Sequence, residues 1–337
     1  MQRLIVISIL GLSFLLIGCQ STKSTLTSAS LTSDLQLKTI NKIVQLTDKN
    51  ICNPYWLEDA SWDNFLDKMK TESPSNETVE AFARRFNRAA RALPFTHFYL
   101  INTNRKKSSG KRLPAFELKK LNDQTVQLII RSFVSNAPAM AKLVEQIKTE
   151  GYEKLIIDLR NNTGGTLDAA VVLGQFLTAE AIDAGVYLSR QWYQEYDKLP
   201  STTQINSLKY LQDMSAQGFF KLLKQEKGFR MVLPPHQNEV FGGEVVVLTN
   251  NNTGSTCEAL VHHLKKIKKG TIVGEKTAGA MLTGSFFKVN EHLRLFIPVA
   301  DYITAEGQRI DKVGVLPDIE VPSKEALQYA MDNLLQD

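Results

Sequence analysis

Cysteine is scarce in this chain: three among 337 residues, Cys19, Cys52 and Cys257. None stands at a Cys/His spacing that would clasp zinc, and no cofactor or metal is expected. Cys52 and Cys257 are far apart in sequence and fall in different structural units, so no disulfide between them is expected even in an oxidising compartment. Long runs of one charge are missing too. The formal net charge is +5, and Arg105–Lys107 and Lys265–Lys269 read as solvated faces, which argues against a nucleic-acid partner. Internal repeats are absent. Apolar runs long enough to span a bilayer are absent as well: the longest, Leu4 to Ile17, is too short and ends too abruptly. What remains is a chain with enough residues for one large domain or two smaller ones with real cores.

The two ends of that short apolar run carry information. Arg3 precedes it, and it stops at Leu16-Ile17-Gly18-Cys19, which resembles the lipobox of bacterial lipoproteins. The resemblance implies cleavage before Cys19 and a lipid anchor on it; an uncleaved secretory signal or a short membrane helix is the alternative. Gln20, where an aspartate would suggest inner-membrane retention, favours an outer-membrane anchor facing the periplasm. Gln20 to Ser33 is rich in Ser and Thr without apolar periodicity and reads as a flexible tether.

Beyond the tether, apolar periodicity predicts helices over 34–95. Leu35, Ile40, Ile43, Val44 and Leu46 make one stripe, Trp62, Phe65, Leu66 and Met69 another, and a third runs from Val79 to Leu93, before Pro94. Thr96 to Ile101 turns strand-like. Residues 115–180 alternate strand and helix, with strands at Val126–Phe133 and Lys154–Leu159 and helices at Ala137–Glu150 and Leu167–Ala179. That is α/β patterning. It resumes at Glu244 and continues to Val321, with a C-terminal helix over 326–337. Between the two halves, 181–243 reads as a less regular, aromatic-rich insertion.

Two strand-to-helix junctions stand out. Val245–Leu248 is a short buried strand broken by Asn250–Asn252 and Gly254, and the apolar positions from Cys257 onward fall on one helical face. Ser255 therefore opens a helix, where unpaired N–H groups and the positive end of the helix dipole suit a developing oxyanion. Ser255 with Glu258 also fits a capping box, so nucleophile and N-cap are both open. The second junction, Leu155 to Gly165, ends a buried strand in a polar turn with paired glycines, Gly164 and Gly165, which let a backbone approach a ligand closely. Such glycines are also common where no ligand binds.

Four segments together resemble one family. Asp158-Leu-Arg-Asn-Asn-Thr-Gly-Gly165 looks like its DLRxNxGG turn and Gly254-Ser255-Thr-Cys-Glu258 like its nucleophile turn. Val273-Gly-Glu-Lys-Thr-Ala-Gly279 looks like its GExTxG segment, and Gly314-Val-Leu-Pro-Asp-Ile-Glu-Val321 like its closing GVxPDxxV. The family is the C-terminal-processing (tail-specific) serine peptidases, including the tricorn core and interphotoreceptor retinoid-binding protein. The resemblance implies a ClpP/crotonase-like α/β spiral over residues 96–325, with an N-terminal helical region. Residues 98–125 are too few for the PDZ domain that many members insert there.

The implied mechanism departs from the tail-specific pattern. Those enzymes use a Ser-Lys dyad, and the matching position here is Ala280, whose methyl group cannot accept a proton. Lys276 is a weak substitute, because a lysine base needs burial. The tricorn-like branch instead takes a histidine from an early strand and an acid near the end of the domain; His97 and Asp311 fall at those places, Asp311 standing where that branch has a glutamate. The resemblance thus implies Ser255 as nucleophile, His97 as base, Asp311 as its partner, and the N–H groups of Thr256 and Gly164 or Gly165 as oxyanion hole. Taken singly, His97 is as well explained as a structural histidine and Asp311 as a turn aspartate.

Other candidates fit less well. His262 and His263 lie about 10–12 Å down the helix that Ser255 opens, at 1.5 Å per residue. His236 and His292 read as solvated turn residues, and Cys257 as core packing. Trp192, Tyr193, Tyr196, Phe219 and Phe220 suit either core or a lid over a substrate groove. The expected activity is serine-type peptide-bond hydrolysis on envelope or periplasmic peptides, with a peptide or protein substrate and the membrane as partners. The alternative is an inactive family member that binds peptides or hydrophobic ligands.

Overall fold

Local sequence makes the N-terminal helices. Asp59 and Thr78 each accept a backbone N–H at a helix start, from Ser61 (2.8 Å) and Ala81 (3.1 Å), and the helices Ser33–Asn50, Ala60–Thr71 and Val79–Ala90 follow the predicted stripes. Their apolar faces bury Ile40, Ile43, Trp62, Phe65, Met69, Phe82 and Phe86; Leu35 is the exception, 45% exposed. The computed structural model describes residues 30–104, 113–133 and 136–336. The apolar leader and Cys19 lie outside them. The stretch read as tether ends earlier than Ser33: Ser30–Thr32 forms a strand antiparallel to Asn76–Thr78, and Leu31 is buried.

Two sheets follow. The first runs, in spatial order, Ile319–Glu320, Thr271–Gly274, Glu244–Thr249, Lys154–Asp158, Thr125–Ile130, Phe116–Lys120, parallel throughout except at its Phe116–Lys120 edge. Alternating side chains of its central strands feed two cores. Leu155, Ile157, Val245 and Val247 pack with the helices Ala137–Glu150, Asp168–Leu177 and Thr256–Lys266, while Ile156, Val246 and Leu248 pack under the C-terminal helix Ala326–Asn333. Burial on both faces is what near-continuous Val/Ile/Leu runs in parallel strands predict.

The second sheet is mostly antiparallel. Its long strand Leu293–Ile303 pairs with Thr283–Lys288 and Tyr99–Asn102 at one end and with Ile182–Leu188 at the other; Gly228–Leu233 and Lys209–Tyr210 extend it. The aromatic-rich stretch 181–243 thus supplies sheet strands. Trp192, Tyr193 and Phe219 are buried in core, with the Tyr193 hydroxyl on the buried Asp301 carboxylate at 2.5 Å and the Trp192 indole N–H on the Lys198 carbonyl at 2.8 Å. These three pack as core, while Tyr196 and Phe220 are half-buried. Leu293, Leu295 and Ile297 join the aromatic core of the N-terminal helices through Phe95 and Phe98.

Candidate active site

Adjacent parallel strands place the two junctions side by side. Leu248 pairs with Asp158 at the C-terminal ends of Glu244–Thr249 and Lys154–Asp158, the edge of an open parallel sheet where chain ends and helix starts converge. The turns beyond are laced together. The Asn161 N–H donates to Asn250 Oδ1 at 2.9 Å, the Gly254 N–H to the Asn162 carbonyl at 2.9 Å, and the Thr253 hydroxyl to the Leu159 carbonyl at 2.9 Å. Asp158 and Arg160 hold the first turn from below: the guanidinium binds both carboxylate oxygens and the Ser323 carbonyl.

Ser255 sits at the start of the Thr256–Lys266 helix with φ 57° and ψ −124°. A serine held there carries strain of order 1–3 kcal/mol, the kind kept at functional turns. Gly164 lies directly against it: a Cβ on Gly164 would stand 2.6 Å from Ser255 Cβ and 3.0 Å from the Thr256 nitrogen. The Gly164 N–H, however, is already donated to Asn162 Oδ1 at 2.9 Å. Gly165 is the neighbour whose N–H, like that of Thr256, has no acceptor among the described hydrogen bonds. The Thr256 hydroxyl binds the Gly165 carbonyl at 2.9 Å and locks the two segments together.

Glu258 does more than cap. Its carboxylate is fully buried. It accepts the Ser255 N–H (3.0 Å), the Ala280 N–H (2.7 Å), the Gly279 N–H (2.7 Å) and the Thr277 hydroxyl (2.6 Å). Burial pushes its pKa up, and these four donors oppose that shift. Glu258 therefore pins the 277–280 turn to Ser255, with Ala280 in that turn. Lys276 is exposed, which removes it as a substitute base.

His97 enters from the strand-like approach to Tyr99, also with positive φ (57°). The sequence reading paired it directly with Asp311; the structure instead interposes Thr96. The Thr96 hydroxyl donates to Asp311 Oδ1 at 2.5 Å and lies 2.9 Å from His97 Nδ1. Asp311, only 1% exposed, also accepts the Thr96 N–H (3.1 Å) and the Met281 N–H (2.9 Å). Because the Thr96 proton is committed to Asp311, its oxygen accepts from Nδ1–H, which leaves Nε2 as the basic nitrogen. Burial lowers the His97 pKa to about 4 and raises that of Asp311 to about 6, the latter opposed by the bonds from Thr96 and Met281. Ser255 and His97 thus flank one turn, held by Glu258 on one side and Asp311 on the other; among the described residues no hydrogen bond joins them directly.

The remaining histidines are accounted for. His262 and His263 lie down the helix; His263 is buried, and Lys266 and Glu306 neighbour His262. His236 and His292 are half-buried rather than solvated, with ring nitrogens on the Thr178 carbonyl (3.0 Å) and the Asn104 amide (2.8 Å). Cys257 packs in the core, its thiol pushed up by burial, and Cys52 and Cys257 are both free. No cluster among the described residues has the donors for a metal ion. Sequence reasoning missed Thr96 and the reach of Glu258. Thr96 beside His97 was the one available signal, since a hydroxyl next to an imidazole can orient it.

Solved structures share this architecture. A peptidase candidate from Parabacteroides merdae superposes with TM-score 0.60 at 15% identity, covering 90% of this chain and 97% of its own. A lipoprotein from Streptococcus agalactiae gives 0.55 at 19%, covering 90% and 96%. The two sheets and the helices between them define a ClpP/crotonase-like α/β protein. The chain belongs to peptidase family S41, whose model matches residues 124–321. Among curated relatives, the carboxyl-terminal-processing protease of Synechocystis is 27% identical over 202 residues, 60% of this chain and 38% of that protein. The chain thus spans less than half the length of that relative.

Proposed function

We propose that this protein is a serine peptidase that hydrolyses peptide bonds with Ser255 as nucleophile and His97 as base. The observation that carries this reading is the Asp311–Thr96–His97 chain, docked on the turn that Glu258 ties to Ser255. Ser255 Oγ attacks the scissile carbonyl carbon while its proton passes to His97 Nε2. The carbonyl oxygen becomes an oxyanion and takes the N–H groups of Thr256 and Gly165, each good donor contributing about 3–4 kcal/mol to the transition state. Gly164 supports the hole by its small size rather than by its own N–H. His97 then gives its proton to the leaving amine, whose C–N bond breaks to leave an acyl-serine. Water attacks the ester, again losing a proton to His97, and the peptide acid departs as Ser255 is reprotonated.

The ionisation pattern supports these roles. His97 rests neutral, as a base must, and the Asp311 carboxylate answers the imidazolium through the Thr96 hydroxyl. Thr96 is a positioning residue: it fixes the tautomer of His97. The absent dyad lysine is consistent with a base drawn from elsewhere in the chain.

The lipobox-like Leu16–Cys19 supports lipid anchoring at Cys19 in the bacterial envelope, facing the periplasm from the outer membrane, with envelope peptides or proteins as substrates. No helix among the described residues is long and apolar enough to cross a membrane. Incorporation of labelled palmitate that persists in Cys19→Ser would overturn the anchor.

The enzymatic reading is tested with a fluorophosphonate probe on leaderless wild type, Ser255→Ala and His97→Ala. Labelling of wild type alone, with all three folded by circular dichroism, is the expected result. A folded wild type that neither labels nor cleaves peptides would make this an inactive binding protein.

A further inference from the structure

One face of the second sheet leads away from His97 in register. The long strand Leu293–Ile303 stands between Thr283–Lys288 and Tyr99–Asn102, so Phe286, Phe296 and Tyr99 form one cross-strand row. Their rings touch. Phe286 and Phe296 centroids are 4.6 Å apart, Phe296 and Tyr99 stack at 4.8 Å, and Phe296 lies 6.0 Å from the His97 imidazole. Gly284 makes room for this row, since a Cβ there would meet the Phe296 ring at 2.3 Å. The opposite face, through Leu295 and Leu100, is buried in the N-terminal core. The aromatic row is not: Phe286 is 38% exposed, and Phe296 and Tyr99 are half-buried.

The next row along the same face is cationic. Lys288 pairs in register with Arg294, and both are exposed. The Arg294 guanidinium lies 5.3 Å over the Phe286 ring, while Lys288 meets the exposed Glu291 at 2.6 Å. From the aromatic row to the Arg294 row is two residues along each strand, about 7 Å at 3.3 Å per strand residue.

Contiguous exposed aromatic surface ending in a cation marks a recognition face. We propose that this face sets the specificity of the peptidase: it takes an extended peptide that lays an aromatic or long apolar side chain on Phe286 and Phe296. The same peptide presents a carboxylate to Arg294 about two residues beyond that side chain, the spacing of neighbouring rows on one strand face. The occupant follows from continuity with His97 and from charge complementarity. The inference rests on the serine-peptidase reading for the position of the scissile bond. The peptide's C-terminus and an Asp or Glu side chain both supply such a carboxylate, and the test below separates them.

The test separates binding from catalysis. Fluorescent peptides carrying one Phe and a carboxylate two residues away, the spacing of the two rows, are titrated against Ser255→Ala protein. They are made with a free C-terminus, with an internal Glu and amidated C-terminus, or with neither. Parallel titrations use Ser255→Ala combined with Arg294→Glu or with Phe286→Ala. Charge reversal is expected to weaken the carboxylate peptides about tenfold or more, as loss of a close ion pair does, and to leave the neutral amide unchanged. Phe286→Ala is expected to weaken all three alike. The free-acid and internal-Glu arms then tell which source is read. Affinities within twofold of each other across these variants and peptides would overturn the inference. So would cleavage of a peptide library by wild type without preference for the pattern. Because binding is read in a protein without the nucleophile, a wild type that fails to label with fluorophosphonate sinks the catalytic reading and leaves this result standing on its own.

Discussion

At the scale of single residues, the site is a set of protons held in place. Thr96 contributes one hydroxyl between an acid and an imidazole, and its replacement has a specific signature. Thr96→Val is expected to lower kcat roughly 10²-fold with little change in KM, because base catalysis is weakened while binding is not. Thr96→Ser is expected to restore most of it. A Val variant with wild-type kcat on a peptide substrate would remove Thr96 from the mechanism. On the proposed mechanism the pH profile is expected to follow Asp311 rather than His97. With Asp311 at about 6 and His97 at about 4, kcat/KM is expected to fall as pH drops through about 6, where Asp311 gains its proton. In Asp311→Asn the residual activity is expected to be low, and its acid limb to move toward pH 4.

The same two groups act on stability with opposite signs. His97 is depressed from its ordinary value, so its contribution is present above pH 6.5 and lost as pH falls toward 4. Asp311 is raised, so its burdened carboxylate is relieved as pH falls through 6 toward 3.8. His97→Gln removes the first effect and is expected to gain thermal stability relative to wild type between pH 7.5 and pH 5, which melting curves at the two values would check. Ser255 and His97, the residues proposed for the chemistry, came from the family resemblance: Ser255 from its nucleophile turn, His97 from its place early in the domain. The Thr96–Asp311 link was not legible in the sequence, because it joins positions 215 residues apart.

At the scale of elements, the helix Thr256–Lys266 and the 277–280 turn act as one piece through Glu258. Glu258→Gln would turn an NH2 toward groups that are all donors. It is expected to cost about 2–3 kcal/mol, the penalty of leaving buried donors unpaired, and to slow fluorophosphonate labelling. Denaturant melts and labelling rates on the same sample test both; a variant as stable and reactive as wild type would deny the pin. The sequence showed Glu258 only as the third residue of a helix, since its other partners lie beyond the next strand. Helices with strong stripes, such as Ala137–Glu150, matched their predicted limits. The second sheet was less legible because Ile182–Leu188 finds its partner in Leu293–Ile303, more than a hundred residues on. Local pattern carries no record of such pairing.

At the scale of the whole molecule, the N-terminal helices share a core with the second sheet through Phe95, Phe98, Leu293, Leu295 and Ile297. Phe98 contacts Trp62, Phe65, Phe86 and Phe95 as ring pairs. Phe98→Ala is expected to cost about 3–5 kcal/mol and to lower one cooperative transition in calorimetry. Two separate transitions in wild type would show the helical region to be an independent unit.

The alanine at position 280 has a consequence for when activity arises. A base on that turn would lie beside the nucleophile in sequence, and a partly folded chain could assemble the pair. Here the histidine comes from the early part of the chain and its acid from the late part, and each is fixed only when Thr96 reaches Asp311. On the proposed mechanism, hydrolytic capacity is therefore the last thing the polypeptide acquires. On that reading, a partly folded chain, or one clipped between its halves, would carry the serine but be unable to cut its neighbours.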